Sequence, residues 1–376
     1  MLMKARINTP YRYDYVGSFL RPAEIKKARA DYQEGKIDAK ALRNIENKHI
    51  EALIQKQKEA GYHVITDGEY RRAYWHLDFM WGFNGIEHIE LEHGYFFHGE
   101  ETTKGSIAIT GKISGEHHPF VEDYQFVKQF EDDQVIAKKT IPAPAPAQML
   151  AELYRGDNTK NTKKYYPDEE VLIEDIAQAY HTVLLDLYKA GCRNVQLDDC
   201  IWGMIVDDRY GNAKMGEGVS IDDEANKYLK INNLALEDLP EDLIVNTHIC
   251  RGNYHSTYAA AGAYDRVAPY VFAKENVQTF YLEFDDERSG SFEALRYIPE
   301  GKKVVLGLVT TKKSLLERKA HIIARIQEAA KYVPLENLYL SPQCGFASCE
   351  IGNKLTDHDQ WAKLSLVKEI AQEVWA

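Results

Sequence analysis

Along this chain, short runs rich in β-branched and aromatic residues alternate with longer stretches whose apolar residues recur every three to four positions. The first kind reads as buried strands and the second as amphipathic helices. The runs at Tyr13–Phe19, Val64–Glu69, Lys138–Ile141, Asn194–Asp199, Leu243–His248, Thr279–Glu283, Lys303–Val309 and Leu338–Pro342 predict eight strands. Helical spacing follows most of them. It is plain at Ile45, Ile50, Leu53 and Ile54, from Asp168 to Ala190 before Gly191, across Ser314–Tyr332, and across His358–Trp375. Repeated strand–helix units argue for a parallel sheet with helices outside, and eight of them for an α/β, (β/α)8 TIM barrel. No glycine-rich phosphate loop follows the first strand, which removes the main reason to prefer a dinucleotide fold. The expectation is a single domain over residues 1–376.

Between about Asn84 and Asp133 the pattern changes. Ile86, Ile89 and Leu91 precede Tyr95-Phe96-Phe97 and the run Ile107–Ile113, so residues 84–133 predict a β-rich insertion of paired strands after strand 2. It holds few groups suited to catalysis and reads as a lid or as a contact between copies in a homo-oligomer.

Composition narrows the setting. A length of 376 residues with 44% hydrophobic content supports a large core. The formal charge of −12 argues against nucleic acid or an anionic membrane surface as a partner. No apolar run approaches the roughly 18–20 residues that cross a bilayer. The stretch Met1–Arg6 lacks the apolar core of a secretory signal. Cys192, Cys200, Cys250, Cys344 and Cys349 are odd in number and scattered, unlike a disulfide framework, so a reducing, cytoplasmic location is expected.

In a barrel of this kind the chemistry collects at the C-terminal ends of the strands. The polar groups there are Ser18, Glu69, Asp198 with Asp199, His248 with Cys250, Glu283, and Cys344 within Ser341–Gly345. His248 and Cys250 lie two apart and so share a face of their strand. An imidazole, two thiols and a carboxylate make a tetrahedral zinc shell, with nitrogen and sulfur donors that suit Zn2+. Taken singly, Cys344 reads equally as a small buried residue, and Glu283 as the ion-pair partner of Lys303 or Arg288. A mixed shell suits a site that exchanges a ligand, and zinc would deprotonate an incoming thiol. The chemistry indicated is alkyl transfer onto sulfur. Glu69 and Asp198 would then hold a substrate ammonium, or else pair internally with Arg71, Arg72 or Arg193. The turn at Gly17-Ser18 would offer backbone N–H groups to a carboxylate.

Val16-Gly17-Ser18-Phe19, Asp67-Gly68-Glu69, Gln196-Leu197-Asp198, His248-Ile249-Cys250, Tyr281-Leu282-Glu283 and Pro342-Gln343-Cys344-Gly345 occur in one order. In this the chain resembles the catalytic half of the cobalamin-independent methionine synthase family from about Tyr13 onward. The resemblance implies a zinc-dependent barrel that moves a methyl group from a methyltetrahydrofolate-type donor to homocysteine. By matching positions it implies His248, Cys250, Glu283 and Cys344 as ligands. It likewise implies Glu69 and Asp198 at the homocysteine amino group and Val16, Gly17 and Ser18 at its carboxylate.

Three departures stand out: there is no room for the family's second barrel, Val309–Ser314 lacks the histidine that serves the departing folate, and Pro142–Pro146 replaces an aromatic. Lys312 there reads as an acid, a carboxylate binder or a solvated surface residue. The alternatives are a related zinc alkyltransferase with another donor or thiol, such as an epoxide–coenzyme M transferase, and a zinc-binding barrel without catalysis.

Overall fold

Six of the predicted strands form one parallel sheet, and its strand order follows the chain. In the computed structural model, residues 10–97, 99–144, 146–156, 158–208 and 220–376 are described. Twelve strands are found among them: β1 Val64–Ile65, β2 Asn84–Glu90, β3 Phe96–Phe97, β4 Glu100–Glu101, β5 Gly105–Ser114, β6 Ile136–Ala137, β7 Lys139–Pro142, β8 Asn194–Asp199, β9 Ile244–Ile249, β10 Thr279–Glu283, β11 Lys303–Val309 and β12 Leu338–Pro342. β7 to β12 lie in sequence order in the parallel sheet, and β1 pairs with β6 in parallel beside it. The break between β6 and β7 is Lys138, whose N–H donates to Ile65 O at 2.9 Å. The result is a mixed α/β fold.

The helices that flank the sheet are set by local signals. The helix Glu169–Lys189 starts where Asp168 accepts from the N–H of Glu170, and the chain leaves it through Gly191 at φ +94°. Thr356 and Asp359 cap the helix Asp357–Val374 reciprocally. The helical stretch before Gly61 is two helices, Ala23–Gln33 and Ala39–Glu59.

Two expectations need correction. The run Tyr13–Phe19 is not a regular strand: Tyr13 makes a single parallel bridge to Leu340. Gly17 takes φ +142°, and its carbonyl accepts from the Thr66 hydroxyl, away from any ladder. A Cβ at Gly17 would stand 2.7 Å from a Thr140 methyl, so the turn needs glycine. This segment nonetheless touches β12 through Asp14 N to Leu340 O, and the turn after β1 through Phe19 N to Gly68 O, each 3.0 Å. In the stretch 84–133, β2 pairs antiparallel with β5 and β3 with β4, but Pro119–Lys128 is a helix. Ala145, within the proline-rich run after β7, lies outside the described residues.

Between β8 and the helix Ile221–Leu236 sits a buried carboxylate pair, Asp199 and Glu275, bridged by the Asn232 amide at 3.0 and 2.7 Å. Burial, then the charge of Asp199, pushes Glu275 up to about 8. The folded chain therefore holds a proton that the unfolded chain releases above the ordinary carboxylate pKa of about 4.3. Stability is lost as pH rises from there through the folded value. We expect Glu275→Gln to flatten this decline, seen as a smaller drop in Tm between acidic and mildly alkaline buffers than in the native chain. Parallel Tm–pH curves for the two proteins would exclude Glu275 as its source. Among the described residues, no helix is long and apolar enough to cross a membrane.

Candidate metal centre

Three strands of the parallel sheet, β9, β10 and β12, with β11 lying between the last two, deliver four donor side chains to one point. His248 is near the end of β9 with Cys250 just beyond it, Glu283 is the last residue of β10, and Cys344 follows β12 by two residues. All four are buried, and one ligand atom from each lies within 4.8 Å of every other. The two sulfurs are 3.7 Å apart. His248 Nδ1 donates to Tyr281 O at 3.2 Å, which fixes the tautomer and leaves the Nε2 lone pair without a partner. Glu283 Oε1 accepts from the N–H of Arg251 at 3.3 Å, while Oε2 is buried and makes no hydrogen bond. The expected pairing with Arg288 exists at 3.6 Å, too long for a hydrogen bond, and that guanidinium lies closer to Asp285 at 2.8 Å.

Orphaned buried acceptors are costly, and a cation supplies what both lack. The thiols point the same way. Contact with Cys200 pushes Cys250 far above the ordinary thiol value, and contact with Cys250 does the same to Cys344. A divalent cation would reverse that by binding both as thiolates. The donor set N, S, S, O fits zinc.

Beside the quartet lies a cavity of about 350 Å³, whose walls include His248, Cys250 and Cys344 together with Val16, Ser18, Glu69 and Asp198. Glu69 has φ +61°, a strained value for a residue with a side chain, held by its N–H donating to Asp67 Oδ1 at 2.9 Å. Its Oε1 accepts from Thr140 Oγ1 at 2.9 Å and lies 3.3 Å from Arg72, so the expected internal pairing exists. Its Oε2 has no partner and is buried. Asp198 accepts from Gln196 Nε2 at 2.9 Å, and burial with the nearby Glu69 charge pushes it up to about 8. Arg71 and Arg193 turn elsewhere, to Glu46 and Asp242. Val16 and Ser18 reach the cavity wall; Gly17 turns the chain between them without lining it. Gly345 packs on Ser18, whose Oγ would lie 1.8 Å from a Cβ there.

The sequence did not reveal several wall residues. Cys200 joins Cys250 and Cys344 in one sulfur cluster, against which Trp75 and Met204 pack. Its position after Asp198-Asp199 at a strand end was the available signal. Tyr95, Phe96, Thr102 and Thr103 come from the β3–β4 region and cover one side of the cavity. That region is tied across the site: Glu100 contacts His255 at 2.6 Å and Lys354 at 3.3 Å, and Tyr254 donates to Glu101 O at 3.4 Å. Lys312 is buried and donates to Asn253 Oδ1 at 3.2 Å, which corrects the reading of a solvated surface lysine.

The chain matches the family model described as the cobalamin-independent synthase catalytic domain over residues 14–372. It is 43% identical over 371 residues to the uncharacterized protein YxjG of Bacillus subtilis, covering 98% of this chain and 96% of that one. The crystal structure of a putative vitamin-B12 independent methionine synthase from Listeria monocytogenes is similar, with a TM-score of 0.75, 36% identity and 98% of each chain covered. A B12-independent methionine synthase from a Shewanella species, solved with selenomethionine, shares the fold at a TM-score of 0.73, with 20% identity and 97% of each chain covered.

Proposed function

Because the chain belongs to the cobalamin-independent synthase catalytic-domain family, a family of methyltransferases, we propose that it methylates the thiol of homocysteine to give methionine. In this reading the eight parallel segments close as a (β/α)8 barrel in one domain, with residues 84–133 carried on it as a lid. Zn2+ would be held by His248, Cys250, Glu283 and Cys344. The observation that carries the proposal is the meeting of these four donors within 4.8 Å beside a cavity that also holds Glu69 and Asp198.

Each part of the cavity has a task. Glu69 Oε2 and Asp198 accept the substrate ammonium, which relieves the repulsion between two buried carboxylates. The substrate carboxylate falls to the Val16–Ser18 turn. These contacts fix the chain of the amino acid so that its sulfur points at the quartet, and effective concentration does the rest. Zinc, when bound, supplies Lewis acidity that keeps the acceptor sulfur as a thiolate at neutral pH. The apolar wall of Trp75 and Met204 excludes water from that sulfur, which preserves its nucleophilicity.

A methylfolate-type donor is what the family implies. A second reading, the same thiol chemistry with a different donor, is favoured by the residues after β11. There Thr311 is bonded to Gln343 and Gly345 O, and Lys312 to Asn253, so neither side chain is turned to a leaving group.

The test is metal content followed by X-ray absorption. We expect about one zinc per chain, and one additional sulfur in its shell when homocysteine is added. A purified protein that never retains a transition-series ion, or a shell indifferent to homocysteine, would falsify the proposal.

A further inference from the structure

Beyond the quartet, the cavity wall carries polar groups that the acceptor does not use. Among the described residues three carboxylates line it: Glu69, Asp198 and Glu152. The first two are assigned to the substrate ammonium, which leaves Glu152. It belongs to the helix Pro146–Leu153 and is 2% exposed. Its Oε2 accepts from Ser106 Oγ and lies 3.3 Å from the Arg155 guanidinium, which itself stacks on Tyr95 at 4.1 Å. Those partners hold the carboxylate by one oxygen. Among the described residues Oε1 makes no hydrogen bond, and it lies 4.0 Å from His76 Nε2, too far for one. His76, in the same wall, has a buried Nδ1 with no partner. Burial holds this imidazole down at about 4, so at pH 7 it is neutral and offers one N–H and one lone pair. Such groups are costly to bury unless something satisfies them, and a ligand in the cavity would do so.

Next to them stands a flat apolar surface. Trp75 precedes His76, with the two rings 4.8 Å apart, and packs on the sulfur cluster of Cys200, Cys250 and Cys344. Tyr95, Phe96 and Tyr254 extend the aromatic wall. Phe96 is 67% exposed, apolar area that a stacked ring would cover. Pro142–Pro146 stands where the family resemblance calls for an aromatic, so a platform for the donor ring comes from elsewhere in the chain.

We propose that Trp75, Glu152 and His76 form the subsite for the flat head of the methyl donor. That head is a heteroaromatic with an amino group and an adjacent ring N–H on one edge, as in the 2-amino-4-oxopteridine of a methylfolate. This rests on the methylfolate-type donor of the function proposed above and assigns the residues that bind it. The ring stacks on the Trp75 indole, Glu152 Oε1 accepts from the amino edge, and His76 meets another polar atom of the ring. Because the same indole touches the sulfur cluster, stacking holds the ring beside the sulfurs. An indole face accepts any flat ring, so the carboxylate supplies the choice. A ring with a carbonyl in place of the amino group would turn a lone pair towards its negative charge.

The test is calorimetry on the zinc-loaded full chain with two ring probes, pterin and lumazine. They differ in one group: lumazine has a carbonyl where pterin has the amino group. Pterin should bind at least about tenfold more tightly, the effect of one charge-assisted hydrogen bond. Adenosine, whose amino group adjoins a ring acceptor and not an N–H, should bind more weakly than pterin. Glu152→Gln should cut the preference for pterin to about threefold or less. Trp75→Leu should weaken pterin and lumazine alike, and Trp75→Phe should restore most of the loss. The comparison of probes on the native chain needs no variant, so it decides the matter even where Glu152→Gln fails to fold. Equal binding of pterin and lumazine, or tighter binding of adenosine, overturns the subsite; methylation of homocysteine by methyltetrahydrofolate in that case leaves the donor reading standing. A chain that binds neither pterin nor methyltetrahydrofolate overturns both.

Discussion

If the proposed zinc site is right, Cys344→Ala should lower the zinc content sharply and abolish thiol alkylation while the protein stays folded. Cys344 is buried, with its sulfur 3.7 Å from that of Cys250 and within reach of His248 and Glu283. Removing it leaves three candidate donors and takes away one of the two thiolates that would hold a soft divalent ion. Losing even an outer contact to a metal ligand costs about 10–100-fold in affinity, so losing a ligand should cost more than about 100-fold. The methyl-sized side chain fills most of the same space, and the direct cost to the fold should be about 1–2 kcal/mol, apart from the stability that bound metal supplies. Metal analysis beside a circular-dichroism melt separates the two effects. Full zinc occupancy in the variant would remove Cys344 from the site.

Glu69→Gln should raise the KM for homocysteine by about 10–100-fold, the loss expected when one charged hydrogen bond of about 1.5–3 kcal/mol is removed, since the amide NH2 that takes the place of Oε2 cannot accept from an ammonium. The amide preserves the shape of the side chain and its acceptor for Thr140, so kcat should change far less. The partnerless Oε2 is the reason to expect a binding defect. The contact with Arg72 at 3.3 Å is the reason to test it. An unchanged KM would mean that Glu69 serves that internal pair and not the substrate.

The candidate site was legible to the extent that it sits at the ends of strands. His248 and Cys250 are two apart at the end of an apolar run, Glu283 closes another, and Cys344 follows a proline that ends a third. Parallel strands in sequence order bring such ends together, so the alternation of runs and helices already implied that they meet. The break at Gly17 was not legible, because it depends on a carbonyl finding the hydroxyl of Thr66.

The linear order of residues alone determined the strand–helix alternation and the residue types at each strand end, since side-chain periodicity and capping are local properties. Only tertiary structure decided which neighbours those ends acquired. It placed Cys200 and Trp75 against the sulfurs of Cys250 and Cys344, buried Lys312 on Asn253, and laid the β3–β4 region across the cavity. The physical reason is that burial and charge are set by partners from distant strands and loops, and no local pattern encodes which surfaces will be taken out of water together.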